Sequence, residues 1–270
     1  MTMNKSITGR LSALSMAFAT AATLGLASGA AEALPAGWTC TGNCGTLGAN
    51  GVVTAPPNGT TYDYISTDNA PSYSALGLGS ETTGTQLASN IFPAAAGETL
   101  EFYFNYITSD GSGFADYAFA RLVNQANPGT PIYLVTARTV PAGSIIPGAG
   151  MPGISATLTP ASVPIIPGGP AWSPLGGSSG GCFAAGCGYT GWVKSEYTIL
   201  AAGNYQLEFG TVNWDDSAFD SGLALSGAAL CKPGDPICDP IGGVPEPGTL
   251  ALFGLAALGM GAVRRRRQTR

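Results

Sequence analysis

Glu98-Thr99-Leu100-Glu101-Phe102-Tyr103-Phe104-Asn105-Tyr106-Ile107 carries the clearest structural signal in the chain. Leu100, Phe102, Phe104 and Tyr106 recur every second residue, the spacing that places side chains on one face of an extended strand. Glu101, Tyr103 and Asn105 fall on the other face, so the stretch reads as a strand with one buried side and one wetter side. Working outward, similar runs occupy residues 60–66, 117–123, 132–140, 192–199 and 205–214, with a shorter one at 223–225. No stretch between 34 and 243 keeps a 3.6-residue apolar period. Asn50-Gly51, Asn58-Gly59, Asp110-Gly111 and Ala202-Gly203-Asn204 lie between the runs and are expected to supply positive-φ turn positions. Many short strands separated by such turns predict an all-β, antiparallel β-sandwich of jelly-roll-like form.

Residues 139–193 break this rhythm with 55 positions that carry no charge and are crowded with Pro and Gly. Eight prolines, at 141, 147, 152, 160, 164, 167, 170 and 174, forbid a helix or a central strand. The expectation is a poorly ordered insertion between two strands, partly pinned by Cys182 and Cys187. The functional alternative is a contact surface, because Trp172, Phe183, Tyr189 and Trp192 flank its Gly-rich part. Trp172 and Trp192 are the candidate ligand-binding residues.

Composition narrows the chemistry. The 270 residues include Gly 40, Pro 20 and no histidine, so Ser-His-Asp and Cys-His catalysis and the commonest nitrogen metal ligand are excluded. Residues 34–243 hold four basic residues (Arg121, Arg138, Lys194, Lys232) against fourteen acids, a formal net charge of −10. That balance argues against nucleic acid and anionic lipid as partners. The six cysteines fall into three local pairs, Cys40 with Cys44, Cys182 with Cys187, and Cys231 with Cys238. In an exported chain they read as disulfides in those pairings, although six cysteines formally allow 15 connectivities.

Three further patterns bear on chemistry. Asp110 and Asp116, and Asp215, Asp216 and Asp220, form two acidic clusters whose oxygens suit Ca²⁺ or, more simply, cap turns. Ca²⁺ is the only cofactor the sequence raises, and none is required. Glu101, Glu196 and Glu208 lie on predicted strands and offer the two carboxylates of a histidine-free glycosidase. Gly177-Ser178-Ser179-Gly180-Gly181 satisfies G-x-S-x-G but lacks the flanking strand, helix and histidine of a nucleophile elbow, and reads as a flexible loop.

The two ends read as addresses. Lys5 and Arg10 precede an apolar run and then Ala31-Glu32-Ala33, the order of a secretory signal peptide (1–33) with an A-x-A site, making Leu34 the first mature residue. At the other end Val244-Pro245-Glu246-Pro247 is followed by an uncharged apolar stretch, a predicted transmembrane helix over 248–263, and by Arg264, Arg265, Arg266 and Arg267. Sixteen residues make about 24 Å of helix, short of the ~30 Å hydrocarbon core, so spanning needs thinning or snorkelling arginines.

This tripartite tail, 244–270, resembles the PEP-CTERM sorting signal. The resemblance implies processing by signal peptidase and an exosortase in a Gram-negative bacterium that makes exopolysaccharide. It also implies at least transient membrane contact and delivery to the outer surface or extracellular matrix. The segment from Leu200 through Asn213-Trp214-Asp215 to Asp220-Ser221-Gly222-Leu223-Ala224-Leu225 resembles the closing strands of β-sandwich domains in exported, anchored bacterial proteins. Together these readings predict a non-catalytic surface or matrix protein whose one domain spans 34–243, with a structural or adhesive role in a biofilm. A carbohydrate-binding module and a histidine-free glycosidase are the alternatives.

Overall fold

The structure, a computed structural model, describes residues 34–139 and 145–242. The expected signal peptide, with Ala31 and Ala33, lies outside the described residues. So does the tail with Pro245, Glu246, Pro247, the 248–263 helix and the arginine cluster. Among the described residues no helix is long and apolar enough to cross a membrane.

In chain order the strands are β1 (Thr39–Thr41), β2 (Asn43–Gly48), β3 (Thr61–Ser66), β4 (Glu81–Ala88), β5 (Phe92–Ala94), β6 (Thr99–Thr108), β7 (Tyr117–Asn124) and β8 (Ile132–Arg138). They continue with β9 (Thr157–Thr159), β10 (Ile166–Pro167), β11 (Gly188–Tyr189), β12 (Val193–Thr198), β13 (Gly203–Trp214), β14 (Ser221–Cys231) and β15 (Asp239–Pro240). One sheet runs β1-β4-β13-β7-β8, with β5 beside β13. The other runs β10-β11-β6-β14-β3-β2, with β12 and then β9 extending from β6, and β15 beside β14. The central ladders, β6 with β14 and β13 with β7, are antiparallel.

The alternation read from the sequence sets which face is buried. Leu100, Phe102, Phe104 and Tyr106 of β6 share one buried cluster with Leu223 and Leu225 of β14, and with Leu87, Ala120, Leu122, Leu207 and Phe209 of the opposite sheet. Phe102 meets Phe209 edge-on at 5.2 Å, which ties the sheets at the centre of the sandwich. The expected strands at 60–66, 117–123, 132–140, 192–199 and 205–214 are present within a few residues, and β14 is longer than the 223–225 run. β4 shows no strand signal because its Glu-Thr-Thr-Gly-Thr-Gln sequence is polar; its second half is buried at Gly84, Thr85, Leu87 and Ala88.

Two expectations need correction. The outer face of β6 is wet only in its first half, since Asn105 and Ile107 are as buried as their neighbours. The cover comes from residues 139–193, which include β9, β10, a 3₁₀ segment at Ser173–Ser178 and β11; strand pairing and the buried Trp172 and Leu175 fasten the segment to the sheet, while much of 161–186 stays exposed. Trp172 and Leu175 lie on the outer side of the nine-stranded sheet with Val53, Tyr62, Ile107 and Ala224. The Trp172 indole donates to Tyr62 Oη at 2.9 Å, Ser66 Oγ donates to the Pro174 carbonyl at 2.6 Å, and Val52 N–H donates to the Ala171 carbonyl at 2.8 Å. Gly222 is what lets the ring lie so close: a Cβ there would stand 2.5 Å from Trp172 and 2.7 Å from the Ile65 carbonyl. Among its described residues the proline-rich segment forms no α-helix, but it does form the short 3₁₀ helix at Ser173–Ser178, and its prolines do not prevent packing. The turn glycines also differ from expectation, because of Gly51, Gly59, Gly111 and Gly203 only Gly51 has a positive φ.

Candidate functional sites and the sorting tail

The antiparallel strands carry the candidate residues to two opposite ends. β6 begins at Thr99 beside Cys231 and finishes at Thr108 beside Ser221. The loops after Thr108 and Trp214 bring all five candidate aspartates to the second end.

Asp116 is fully buried and works as a hydrogen-bond hub. One oxygen accepts Trp214 N–H at 2.9 Å, and the other accepts Ser221 Oγ–H at 2.7 Å. Asp110 Oδ1 accepts Gly111 N–H at 2.6 Å, while Oδ2 is buried without a partner. Asp220 accepts Thr67 and Ser178 hydroxyls at 3.0 and 2.9 Å. Desolvation pushes Asp110 up to about 7 and lifts Asp116 well above the carboxylate range, with Asp216 adding repulsion to both. Asp220 is raised by the same cause. Asp215 is exposed and Asp216 half-buried.

Among the described residues no three of these carboxylates bring an oxygen each within 4.8 Å of one another, so the structure does not gather the five into one Ca²⁺-sized set. The one group that does converge, Glu101 with Cys231 and Cys238, has its two sulfurs bonded to each other and offers no thiolate. Asp116 and Asp220 hold the strand ends together through Trp214, Ser221, Thr67 and Ser178, while Asp110 and Asp216 cap their own turns at Gly111 and Ala218.

The glutamates separate by sheet. Glu101 and Glu196 face each other across the β6–β12 ladder, and Lys194 Nζ bridges them at 2.8 and 2.9 Å. Those contacts raise the Lys194 pKa, the Glu101 hydrogen bond first among them. Glu208 lies on the other sheet, opposite Arg121 on β7, with Nε–Oε2 at 2.7 Å. Ser179 Oγ accepts the Trp172 backbone N–H at 2.9 Å, a turn-stabilising role. Trp172, expected as a contact residue, is 1% exposed and belongs to the packed layer. Trp192 is half-buried, edge-on to Tyr62 at 5.7 Å, and donates to the Thr54 carbonyl.

The disulfides pair locally as expected: Cys40–Cys44, Cys182–Cys187 and Cys231–Cys238. The second staples the loop that presents Phe183, packed against Phe114 and Phe219 at 5.2 Å each.

Two clefts open at the first end of the sandwich, about 850 Å³ each. One is lined by hydroxyls, amides and tyrosines, among them Asn127, Thr157, Glu196, Thr198, Tyr197 and Tyr205. The other is bordered by β5, Lys232 and residues 239–242. Sequence reading missed both, because their walls come from segments far apart in the chain.

Residues 243–267 match the PEP-CTERM protein-sorting motif. The motif implies export, membrane-associated sorting and an exosortase as processing enzyme. It begins immediately after the last described residue of the sandwich. No curated protein matches the chain. Similar solved structures include a Clostridium thermocellum endo-1,4-beta-D-xylanase complexed with xylohexaose, at 12% identity and TM-score 0.29, with 73% of this chain covering 26% of that one. An arabinose-bound α-L-arabinofuranosidase follows at 11% and 0.32, with 73% of this chain covering 23% of it. The adhesin domain of a Lys-gingipain from Porphyromonas gingivalis stands at 11% and 0.30, with 73% of this chain covering 93% of it. The chain thus spans about a quarter of the length of the first two.

Proposed function

We propose that the sandwich is a non-catalytic surface or matrix domain, delivered through an exosortase system to the exopolysaccharide of a Gram-negative cell, with a structural or adhesive role. The observation that carries this is the sorting motif at 243–267, joined directly to a disulfide-closed sandwich. Supporting it, each glutamate that the sequence offers for hydrolysis sits against a cation on its own sheet, and Asp116 and Asp220 are occupied in holding strand ends. The test is fractionation of producing cells carrying the full chain or a chain ending at residue 243. The full chain should accumulate in the matrix fraction with a new C-terminus near 244–247, and the truncated chain should not. Equal distribution of both would refute the reading.

A second reading, binding of a neutral glycan, is favoured by the hydroxyl- and amide-lined cleft. Its lining includes the side chains of Asn127, Ser155, Thr157 and Thr198, groups able to hydrogen-bond sugar hydroxyls. Calorimetry with neutral hexasaccharides against wild type and an Asn127→Ala, Thr157→Ala double variant tests it. Heat lost in the variant supports it, and no heat with any glycan removes it.

A further inference from the structure

The chain's two described ends meet. Pro35-Ala36-Gly37-Trp38 forms a tight turn, with Trp38 N–H donating to the Pro35 carbonyl at 3.1 Å and Gly37 at φ 82°. The turn swings the Trp38 indole between the sheets, stacked at 6.0 Å on Phe209 of β13. There its Nε1–H donates to the Ile241 carbonyl at 3.0 Å. Ile241 N–H in turn donates to the Ala228 carbonyl of β14 at 2.8 Å. Gly242 has φ 99° and lies so close to Trp38 that an added Cβ would overlap the indole. Leu34, the expected first residue after signal removal, packs on the same core.

We infer that Trp38 is a latch on the exit of the sorting motif and sets how readily that motif is processed, an inference that rests on the sorting reading above. With Ile241 and Gly242 held, only Gly243 and Val244 separate the folded body from Pro245-Glu246-Pro247. The three Cα–Cα steps from Gly242 to Pro245 reach at most about 11 Å. A membrane-embedded processing enzyme needs extended chain on both sides of the bond it acts on, and a sandwich this close obstructs its upstream side. When the latch opens, β15 can peel from β14, which it pairs through only Ala229 and Leu230. The next fixed point is then Cys238, disulfide-bonded to Cys231. Four further residues become available, 239–242, or about 13 Å of chain. The latch is thus a local opening well below global unfolding, backed by a covalent stop.

The experiment is pulse–chase in the producing cells with the full chain, read by mass spectrometry of the C-terminal peptide. Trp38→Phe keeps the ring stacking and removes the Nε1 donor. Gly242→Ala strikes the same contact from the other side. Loss of one partly buried hydrogen bond raises the open population about fivefold, and processing should accelerate by that factor in Trp38→Phe and by at least that factor in Gly242→Ala, whose added Cβ overlaps the indole. Inserting a Gly/Ser linker of about eight residues after Gly242 supplies the slack by other means, and should speed the wild type and abolish the difference between it and the variants. Unchanged processing in both unlinked variants, or acceleration that persists with the linker, overturns the latch. A Glu246→Ala chain processed like wild type would instead overturn the sorting reading.

Discussion

Replacing Trp172 by alanine tests whether the Pro/Gly-rich segment is a built layer. The indole is 1% exposed. A tryptophan buries roughly 200–250 Å², which at about 25 cal/mol/Å² corresponds to about 5–6 kcal/mol of apolar transfer as an upper bound. Partial collapse of the segment onto the sheet recovers some of this. Loss of the donor to Tyr62 Oη, a hydroxyl that burial already pushes up to about 12, costs about 1 kcal/mol. The expected net destabilisation is about 3–5 kcal/mol. The assay is urea unfolding followed by far-UV circular dichroism, paired with limited proteolysis. Residues 139–193 hold no Lys or Arg, so chymotrypsin rather than trypsin is the probe. The variant should unfold at markedly lower urea and be cut at Phe183, Tyr189 or Trp192 while wild type is spared. A loss under 1 kcal/mol with unchanged cleavage would mean the segment only rests on the sheet.

Gly222→Ala forces a methyl against Trp172 and the Ile65 carbonyl and should cost about 2 kcal/mol or more, only part of it relieved in a Trp172→Ala background; a urea double-mutant cycle reads this. Asp110 has a folded-state pKa raised to about 7 from 3.8, so folding favours its neutral form. The stability it contributes is complete below pH about 4 and is lost as pH rises through 7. Asp110→Asn should remove the share of that decline due to Asp110, at most about 4 kcal/mol for the full shift, and leave the shares of Asp116 and Asp220; an unchanged pH profile would refute the assignment. Opening the Cys182–Cys187 staple by serine substitution should lower stability by about 2 kcal/mol in the same denaturation assay, with Phe183 becoming more accessible to chymotrypsin. Lys194→Met leaves Glu101 and Glu196 facing each other and should cost about 1 kcal/mol, less at high salt.

Period-two alternation in β6 was enough to name its core face, because a strand's side chains alternate whatever it pairs with. The same logic located β3, β7, β8, β12 and β13 and failed for β4 and most of β14. Their threonines, alanines and glycines carry no alternating apolar signal, and they enter the sheets by pairing with β13 and β6. The three disulfides were legible because each closes within a few residues. The candidate site was less so. The aspartates stand out in the sequence as two clusters that suit either Ca²⁺ or turn capping, and spacing does not report which oxygens a neighbouring hydroxyl or amide already occupies. The two clefts had no local signal.

The amino-acid sequence by itself determined the all-β class, the absence of histidine chemistry, the local cysteine pairing and the sorting tail, since each depends on residue identity or on separations of a few positions. The tertiary structure alone decided that Trp172 belongs to a packed outer layer, that Lys194 sits between Glu101 and Glu196, and that Trp38 closes on Ile241. Those contacts join residues as far as 203 positions apart. Which distant groups meet is set by sheet register and by where a missing Cβ leaves room, and neither is written in any local pattern.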